Sequence, residues 1–170
     1  MKFGIKKIKD EGYRSLISLY IKELKKSVAK LRSVMVIGSV ARGKRKKTGD
    51  IDLVIVFDSK PYNLFKRIDF LSDIFLKVKE SKKYAKLMEK GYSVSLMPIP
   101  YKGDELYPTP PLLLDAIYDG IIIMDDGTLE RKFISLKKRL KELGSKRVKG
   151  KRHWYWILKP DIKPGEVFEI

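Results

Sequence analysis

The sequence contains no cysteine and a single histidine, His153. The lack of cysteine excludes disulfides, thiolate catalysis and cysteine-based zinc sites, and one histidine cannot build a histidine-rich metal centre. A bound metal must therefore be held mainly by oxygen ligands, which suit Mg²⁺ or Mn²⁺. Glutamine is also absent and Asn63 is the only asparagine, a composition that favours a thermophilic origin.

Long apolar segments are missing as well. No uninterrupted apolar run approaches the roughly 18 residues needed to span a bilayer, and the first residues lack the apolar centre of a signal peptide. We therefore expect a soluble, cytoplasmic protein with no membrane segment. With 170 residues and 44% apolar composition the chain has the size of one domain with a substantial core. We assign residues 1–145 to that domain, and 146–170 to a C-terminal strand and tail packed on it.

What the sequence has in excess is positive charge. Lys and Arg total 38 against 21 acidic residues, so the formal net charge is +17. A thermophilic surface explains abundant charge but not its single sign, and such an excess commonly accompanies a polyanionic partner such as nucleic acid or nucleotide phosphate. Four consecutive basic residues, Lys44, Arg45, Lys46 and Lys47, are candidates for nucleic-acid contacts, although a basic loop is more often only solvated.

The spacing of apolar residues predicts a chain of helices and strands. Helices are predicted at 13–31, from Pro61 to about 78, at 82–90, at 111–119 and from a capping Thr128 to about Gly144. Strands are predicted at 33–37, 51–57, 92–97, 121–124 and 154–158, the third of them ended by Pro98 and Pro100. This order indicates an α/β or α+β fold in which helices pack against a sheet.

The segment GSVARGKRKKTGDID at 38–52 joins the first two predicted strands. Alternate strand residues face the same way, so Asp50 and Asp52 are expected to project from one face about 6.5 to 7 Å apart. Two like charges held this close repel unless a cation lies between them, and divalent metals serve phosphate chemistry in this way. Gly38 permits a close backbone approach, and Ser39 with neighbouring N–H groups is suited to cradle a phosphate.

This joint pattern, Gly38-Ser39 followed after ten residues by Asp50-x-Asp52, resembles the signature of the DNA polymerase β-like nucleotidyltransferase superfamily, especially its small archaeal and bacterial minimal members. The resemblance implies a mixed sheet flanked by helices and Mg²⁺-dependent transfer of a nucleoside monophosphate from an NTP, with ATP expected. The resemblance does not identify the acceptor, which can be a protein hydroxyl, an RNA end or a small molecule. Carried over, the two aspartates hold metal and Gly38-Ser39 bind the triphosphate, while Arg42 neutralises charge on the leaving pyrophosphate.

Active members of that superfamily generally add a third carboxylate on a later strand. The matching positions here are Ser93 and Ser95, and neither serine can act as a general base near neutral pH. Three alternatives remain open. Another acid substitutes, with Asp58, Asp104 and Glu105 as candidates; or the strand alignment differs; or catalysis is slow or absent.

In the last case the chain is a catalytically degenerate member that binds nucleotide, RNA or a protein partner. Minimal nucleotidyltransferases often act as antitoxins beside a helical ribonuclease toxin, so the resemblance makes a toxin-like partner compatible with either an active or a degenerate protein. The aromatic residues at 154–156, together with His153, either stack a base or alternate between the core and the edge of a strand.

Overall fold

The computed structural model describes residues 1–44, 47–61, 63–151 and 154–170. The strands are β1 (Lys2–Phe3), β2 (Leu31–Val36), β3 (Thr48–Phe57), β4 (Ser93–Tyr101), β5 (Ile121–Asp125), β6 (Lys146–Lys149) and β7 (Trp154–Ile157). The helices are α1 (Glu11–Ser27), α2 (Gly38–Ala41), α3 (Leu64–Lys79), α4 (Lys82–Glu89), α5 (Pro111–Asp119) and α6 (Thr128–Glu142). Short 3₁₀ turns lie at Ile5–Lys7 and Asp104–Leu106.

Five of the strands form a mixed sheet in the order β1-β5-β2-β3-β4. β3 runs parallel to β4 and antiparallel to β2, while β2 is also antiparallel to β5. The two remaining strands, β6 and β7, form a separate antiparallel ribbon. The predicted class, a mixed sheet flanked by helices, is confirmed. Within the described part of the chain, no helix combines the length and the apolar character required to cross a bilayer.

The central strand β3 shows why helices cover both faces of the sheet. Its residues from Ile51 to Phe57, apart from the half-buried Asp52, are fully buried, as expected of a strand with a layer on either side. The odd-numbered side chains, such as Leu53, pack with α1 and α3. The even-numbered side chains Val54 and Val56 pack with α5 and α6. This second face carries the candidate site, because Asp50 and Asp52 continue the same row beyond its apolar cover.

Several element boundaries differ from the sequence predictions. β4 does not stop at Met97 but continues through Pro98 and Pro100 to Tyr101. Two prolines two residues apart direct their ring nitrogens to the same side, and on an edge strand that side needs no hydrogen-bonding partner. The predicted aromatic strand forms, but it pairs with β6 rather than with the edge of the main sheet.

The start of α6 was also predicted incorrectly in one detail. Thr128 is the first helical residue and Gly127 occupies the capping position. The first-turn N–H groups are instead accepted by carboxylates, with Leu129 donating to Asp125 at 3.1 Å and Thr128 donating to Asp126 at 3.0 Å. Charged acceptors stabilise a helix N-terminus in this way because its first N–H groups have no partner inside the helix.

A buried ion pair ties α3 to the turn after β4. The Arg67 side chain is 2% exposed, and both of its terminal nitrogens donate to the Glu105 carboxylate at 2.7 Å. These hydrogen bonds hold the pKa of Glu105 below its ordinary value. The Glu105 carboxylate also accepts the Lys102 N–H at 2.9 Å. The pair therefore serves the structure, because removing Glu105 leaves a buried guanidinium without its acceptors.

We expect Glu105→Gln to lower the free energy of unfolding at pH 7 by about 2 to 3 kcal/mol, because the buried Arg67 loses its charged partner. The loss is smaller than for a fully buried pair because Glu105 itself is 35% exposed. Urea unfolding measures this loss. A lowered folded-state pKa stabilises above the unfolded pKa and is lost as the pH falls through the folded value, so the difference from the parent protein should shrink below about pH 4. Glu23→Gln, which removes the partner of a lysine that is 59% exposed, Lys26, is the control and should change stability by less than about 0.5 kcal/mol. Equal effects of the two substitutions would contradict the assignment.

Candidate active site

The two motif aspartates lie on β3 at the end where it emerges from the core. Asp50 is exposed and Asp52 is half-buried, while Ile51 between them points into the opposite apolar layer. Because strand side chains alternate, both carboxylates stand on the face that carries α5. The structure therefore places the predicted metal-binding pair on one face of β3, and Asp52 lines a cleft of about 300 Å³ between the sheet and α5.

Gly38 lies directly against Asp52. Its φ angle is +69°, in the left-handed region, and a Cβ atom at this position would lie 2.3 Å from Oδ2 of Asp52. The Ile37 N–H donates to the Asp52 carbonyl at 3.0 Å and so holds the two segments side by side. Only glycine satisfies both the backbone angle and the close approach at this position.

The turn after Gly38 forms the short helix α2. Ser39 is half-buried in its first turn, and the Ser39 carbonyl accepts the Lys44 N–H at 3.0 Å, which closes the turn. The first amide groups of a helix lack intrahelical acceptors, so this turn can offer N–H donors to a phosphate. Because Gly38 places the start of this turn against Asp52, the predicted role of Gly38 and Ser39 in triphosphate binding is compatible with the structure.

Arg42 follows α2 and lines the same cleft as Asp52. Its guanidinium lies 3.8 Å from the Asp119 carboxylate, and both side chains retain solvent exposure. An exposed pair of this kind is worth at most about 1 kcal/mol, so an entering phosphate can replace Asp119 as the partner of Arg42 at little cost.

Two acids of α5, Asp115 and Asp119, were not predicted to belong to the site. Both line the cleft with Asp52, and both are held by Arg147 of β6, at 3.2 Å and 3.4 Å respectively. Their spacing of four residues puts them on one helix face, which was the available signal in the sequence. That signal is weak, because most such pairs on helices are only solvated.

The strand β4 runs beside the two aspartates, and its register settles which side chains flank them. Ser95 is the partner of Asp50, and Met97 is the partner of Asp52. Ser95 and Met97 are exposed while Leu96 between them is buried, so the alternation predicted for this strand is present. Across the described residues, no group of three or more acidic, histidine or cysteine side chains is placed to hold a metal.

The three acids named as substitutes for a third carboxylate lie at the wrong end of the sheet. Asp58 follows β3 eight residues after Asp50, a separation of roughly 26 Å along the strand. Asp58 pairs with Arg32, and Glu105 pairs with Arg67. Asp104 begins the turn after β4, which is the same distant end. The suggestion that one of these acids completes the site is therefore wrong.

The basic run at 44–47 is divided by the structure. Lys44 lines a second cleft that adjoins the first, together with Arg42. Lys47 instead donates to the Lys90 carbonyl at 2.9 Å and lies 5.3 Å from the centre of the Tyr92 ring, away from that cleft. Arg45 and Lys46 lie outside the described residues, as does His153.

The donor set fits a hard divalent cation such as Mg²⁺. Such ions are commonly held by one or two carboxylates, the rest of their coordination being water and substrate phosphate oxygens. Asp50 and Asp52 supply two carboxylates on one face, and the absent side chain of Gly38 keeps the Asp52 carboxylate accessible. When bound, the metal would polarise the phosphate and lower the charge repulsion that an attacking oxygen meets.

Comparison with known families bears directly on the segment from Gly38 to Asp52. The family model of the nucleotidyltransferase domain matches residues 17–123, well over half of the 170-residue chain. The match extends from α1 to β5 and includes the whole segment from Gly38 to Asp52. No curated protein matches the chain.

Solved structures give more distant similarities. A chain of a toxin–antitoxin complex with AMP-PNP is 17% identical, with a TM-score of 0.44, over 74% of this chain and 89% of that one. A candidate nucleotidyltransferase from Sulfolobus solfataricus is 22% identical, with a TM-score of 0.37, over 66% and 86%. A chain of the complex between tri-AMPylated Shewanella oneidensis HEPN toxin and MNT antitoxin is 14% identical, with a TM-score of 0.42, over 77% and 90%. The assignment to a family therefore comes from the family model and not from these structures.

Proposed function

Because the chain belongs to the nucleotidyltransferase-domain family, we propose that it transfers a nucleoside monophosphate from an NTP, ATP in the first instance, to an acceptor hydroxyl. The observation that carries the proposal is the pair Asp50 and Asp52 on one face of β3, with the side-chain-free Gly38 against Asp52. Both carboxylates act as ligands of Mg²⁺ or Mn²⁺. Gly38 and Ser39 hold the triphosphate through backbone N–H groups.

The transfer requires no reactant besides the NTP and the acceptor. The acceptor oxygen forms a bond to the α-phosphorus, the bond between that phosphorus and the pyrophosphate oxygen breaks, and the acceptor proton passes to solvent at the exposed end of the site. Arg42 exchanges its exposed contact with Asp119 for the leaving pyrophosphate, whose charge it neutralises. Asp119 remains paired with Arg147.

A direct assay compares two labelled forms of ATP in the presence of MgCl₂ with total RNA and protein as acceptors. Label from the α-phosphate should enter macromolecules, whereas label from the γ-phosphate should remain in small molecules because it leaves with pyrophosphate. Chelation of the metal should stop the transfer. Incorporation of the γ-label would identify phosphoryl transfer and overturn the proposal.

A second candidate function follows from Ser95. The serine beside Asp50 adds no charge to the metal site and cannot act as a base near neutral pH. This favours a protein that binds nucleotide without turning it over. Calorimetry with ATP and MgCl₂ separates the two functions, because metal-dependent binding without label transfer to any acceptor supports the degenerate protein. A toxin-like protein partner stays a prediction with either function.

Adding a third carboxylate beside the acid pair should raise both activity and metal affinity. The substitution Ser95→Asp puts this carboxylate about 5 Å across the sheet from Asp50. We expect Mg²⁺ to bind about tenfold more tightly, because the added charge lies close to the metal. Calorimetry with MgCl₂ and the label-transfer assay measure the two effects.

The matched control for this gain is Ser93→Asp. Ser93 is exposed on the same face of the same strand, but its partner in β3 is Thr48, two residues before Asp50. It adds the same charge to the same β-strand and should have a clearly smaller effect. If both variants strengthened Mg²⁺ binding equally, general electrostatics and not a third ligand position would explain the result.

A further inference from the structure

A second cleft, of about 470 Å³, adjoins the cleft lined by Asp52 on the side of the C-terminal ribbon. The two clefts share Arg42, Asp115 and Asp119, so they are continuous. The side chains that distinguish the second cleft come from the ribbon and from the turn after α2. They are Lys44, Arg147, Lys149, Lys151 and Trp154.

The charge of this cleft is strongly one-sided. It is lined by five cationic side chains and only two carboxylates, Asp115 and Asp119. Both carboxylates are engaged by Arg147 at 3.2 Å and 3.4 Å. Lys149 and Lys151 are exposed. The cleft therefore presents an excess of positive charge to an anionic ligand next to the proposed catalytic pair.

An exposed indole stands among these cations. Lys149 and Trp154 are partners in the β6–β7 register and therefore share one face of the ribbon with Arg147. Trp154 is 48% exposed, and the Arg147 guanidinium lies 4.8 Å from its ring centre and 5.1 Å from that of Tyr118. Because Arg147 is anchored to α5 through the two aspartates, it fixes the position of this indole relative to the cleft.

From this arrangement we propose that the ribbon face binds single-stranded nucleic acid, which is the acceptor of the transferred nucleotide. Cations that track a phosphate backbone beside an exposed aromatic ring form the usual combination for unpaired strands. A duplex hides its base faces, and an acidic peptide uses the cations but has no base to stack on Trp154. The acceptor role rests on the proposed nucleotidyl transfer, whereas the binding itself does not.

Fluorescence anisotropy with a labelled single-stranded oligouridylate tests the binding in the absence of nucleotide and metal. We expect Trp154→Ala to weaken binding roughly 5- to 150-fold, the range for loss of one base stack. Lys149→Ala should weaken it and reduce the steepness of the salt dependence by about 0.7 of a log unit per log unit of salt, the effect of one phosphate contact.

The opposite face of the same ribbon provides matched controls. Tyr155 is 46% exposed and follows Trp154 in β7. Lys146 is exposed at the start of β6, whereas Lys149 is at its end. Tyr155 and Lys146 both lie on the face of the ribbon opposite Trp154 and Lys149. Tyr155→Ala and Lys146→Ala should leave affinity and salt dependence within about twofold of the parent protein. A ribbon that simply unfolds in the variants would affect both faces equally, and equal losses would overturn the proposal.

The remaining outcomes separate this proposal from the one on which it rests. Binding of the oligonucleotide together with α-label transfer to it supports both. Binding without transfer, while other macromolecules are labelled, overturns the acceptor role and leaves the nucleotidyltransferase. Binding with no ATP-dependent transfer to anything contradicts the catalytic proposal and, with it, the acceptor role, but leaves the binding of single strands. An acidic peptide or a duplex that binds as tightly as the single strand overturns the choice of ligand.

Discussion

Replacing Asp50 and Asp52 together by asparagine is expected to lower nucleotidyl transfer by at least about 1,000-fold, since a metal contributes several kcal/mol to stabilising charge in such a transition state. Asparagine keeps the size of the side chain but removes the charge that binds a divalent cation. Asp50 is exposed and Asp52 only half-buried, so the fold should tolerate the change. Label transfer from α-labelled ATP and calorimetry with MgCl₂ measure the loss of activity and of metal binding.

The control for this variant must remove two negative charges elsewhere. Asp69 and Asp73 are exposed on α3, one helical turn apart. Asp69→Asn with Asp73→Asn changes the net charge by the same amount and should leave transfer within about twofold of the parent protein. Retained transfer in the Asp50 and Asp52 double variant, with its fold intact by circular dichroism, would eliminate the metal site as assigned.

Gly38→Ala is expected to reduce transfer by about 100-fold, the penalty commonly produced by a misplacement of roughly 1 Å in a catalytic group. The added Cβ would lie 2.3 Å from Oδ2 of Asp52, a distance that forces the carboxylate to move. The left-handed backbone at +69° adds a stability cost of about 1 to 2 kcal/mol for a residue other than glycine. Label transfer and urea unfolding separate the two effects.

Gly91 offers the matching control for Gly38. Its φ angle is +80°, and an added Cβ there would meet nothing within 4 Å. Gly91→Ala should therefore lose about 1 to 2 kcal/mol of stability with unchanged transfer. If the two alanine variants lost activity equally, backbone strain would account for the result and the contact with Asp52 would not be needed.

Much of the fold and part of the site could be predicted from local patterns. The apolar face of α1 follows from a spacing of about 3.6 residues, and β3 follows from a short continuous apolar run; a sequence displays both directly. The end of β4 could not be predicted in this way, because prolines such as Pro98 and Pro100 normally end a strand. They are tolerated since β4 is an edge strand with β3 as its neighbour in the sheet. Edge position is a property of the whole sheet.

The acid pair shows the same division at the site. Asp50 and Asp52 share a face because they are two residues apart in one strand, and the sequence alone determines this. Which side chain flanks Asp50 on the neighbouring strand depends on the register between β3 and β4, which places Ser95 opposite Asp50. The distance of Asp58 from Asp50 is instead a local property, because about eight residues of one extended strand separate the two acids.

By itself, then, the sequence determined the acid pair, the glycine turn before it, the class of fold and the excess of positive charge, because each arises from residues close together in the chain or from composition. The tertiary structure alone decided that Asp119 faces Arg42 and Arg147, and that Trp154 lines a cleft continuous with the one that contains Asp52. Those contacts join α2, α5 and the C-terminal ribbon, which are far apart in sequence. They depend on strand order and helix packing, and local periodicity carries no information about either.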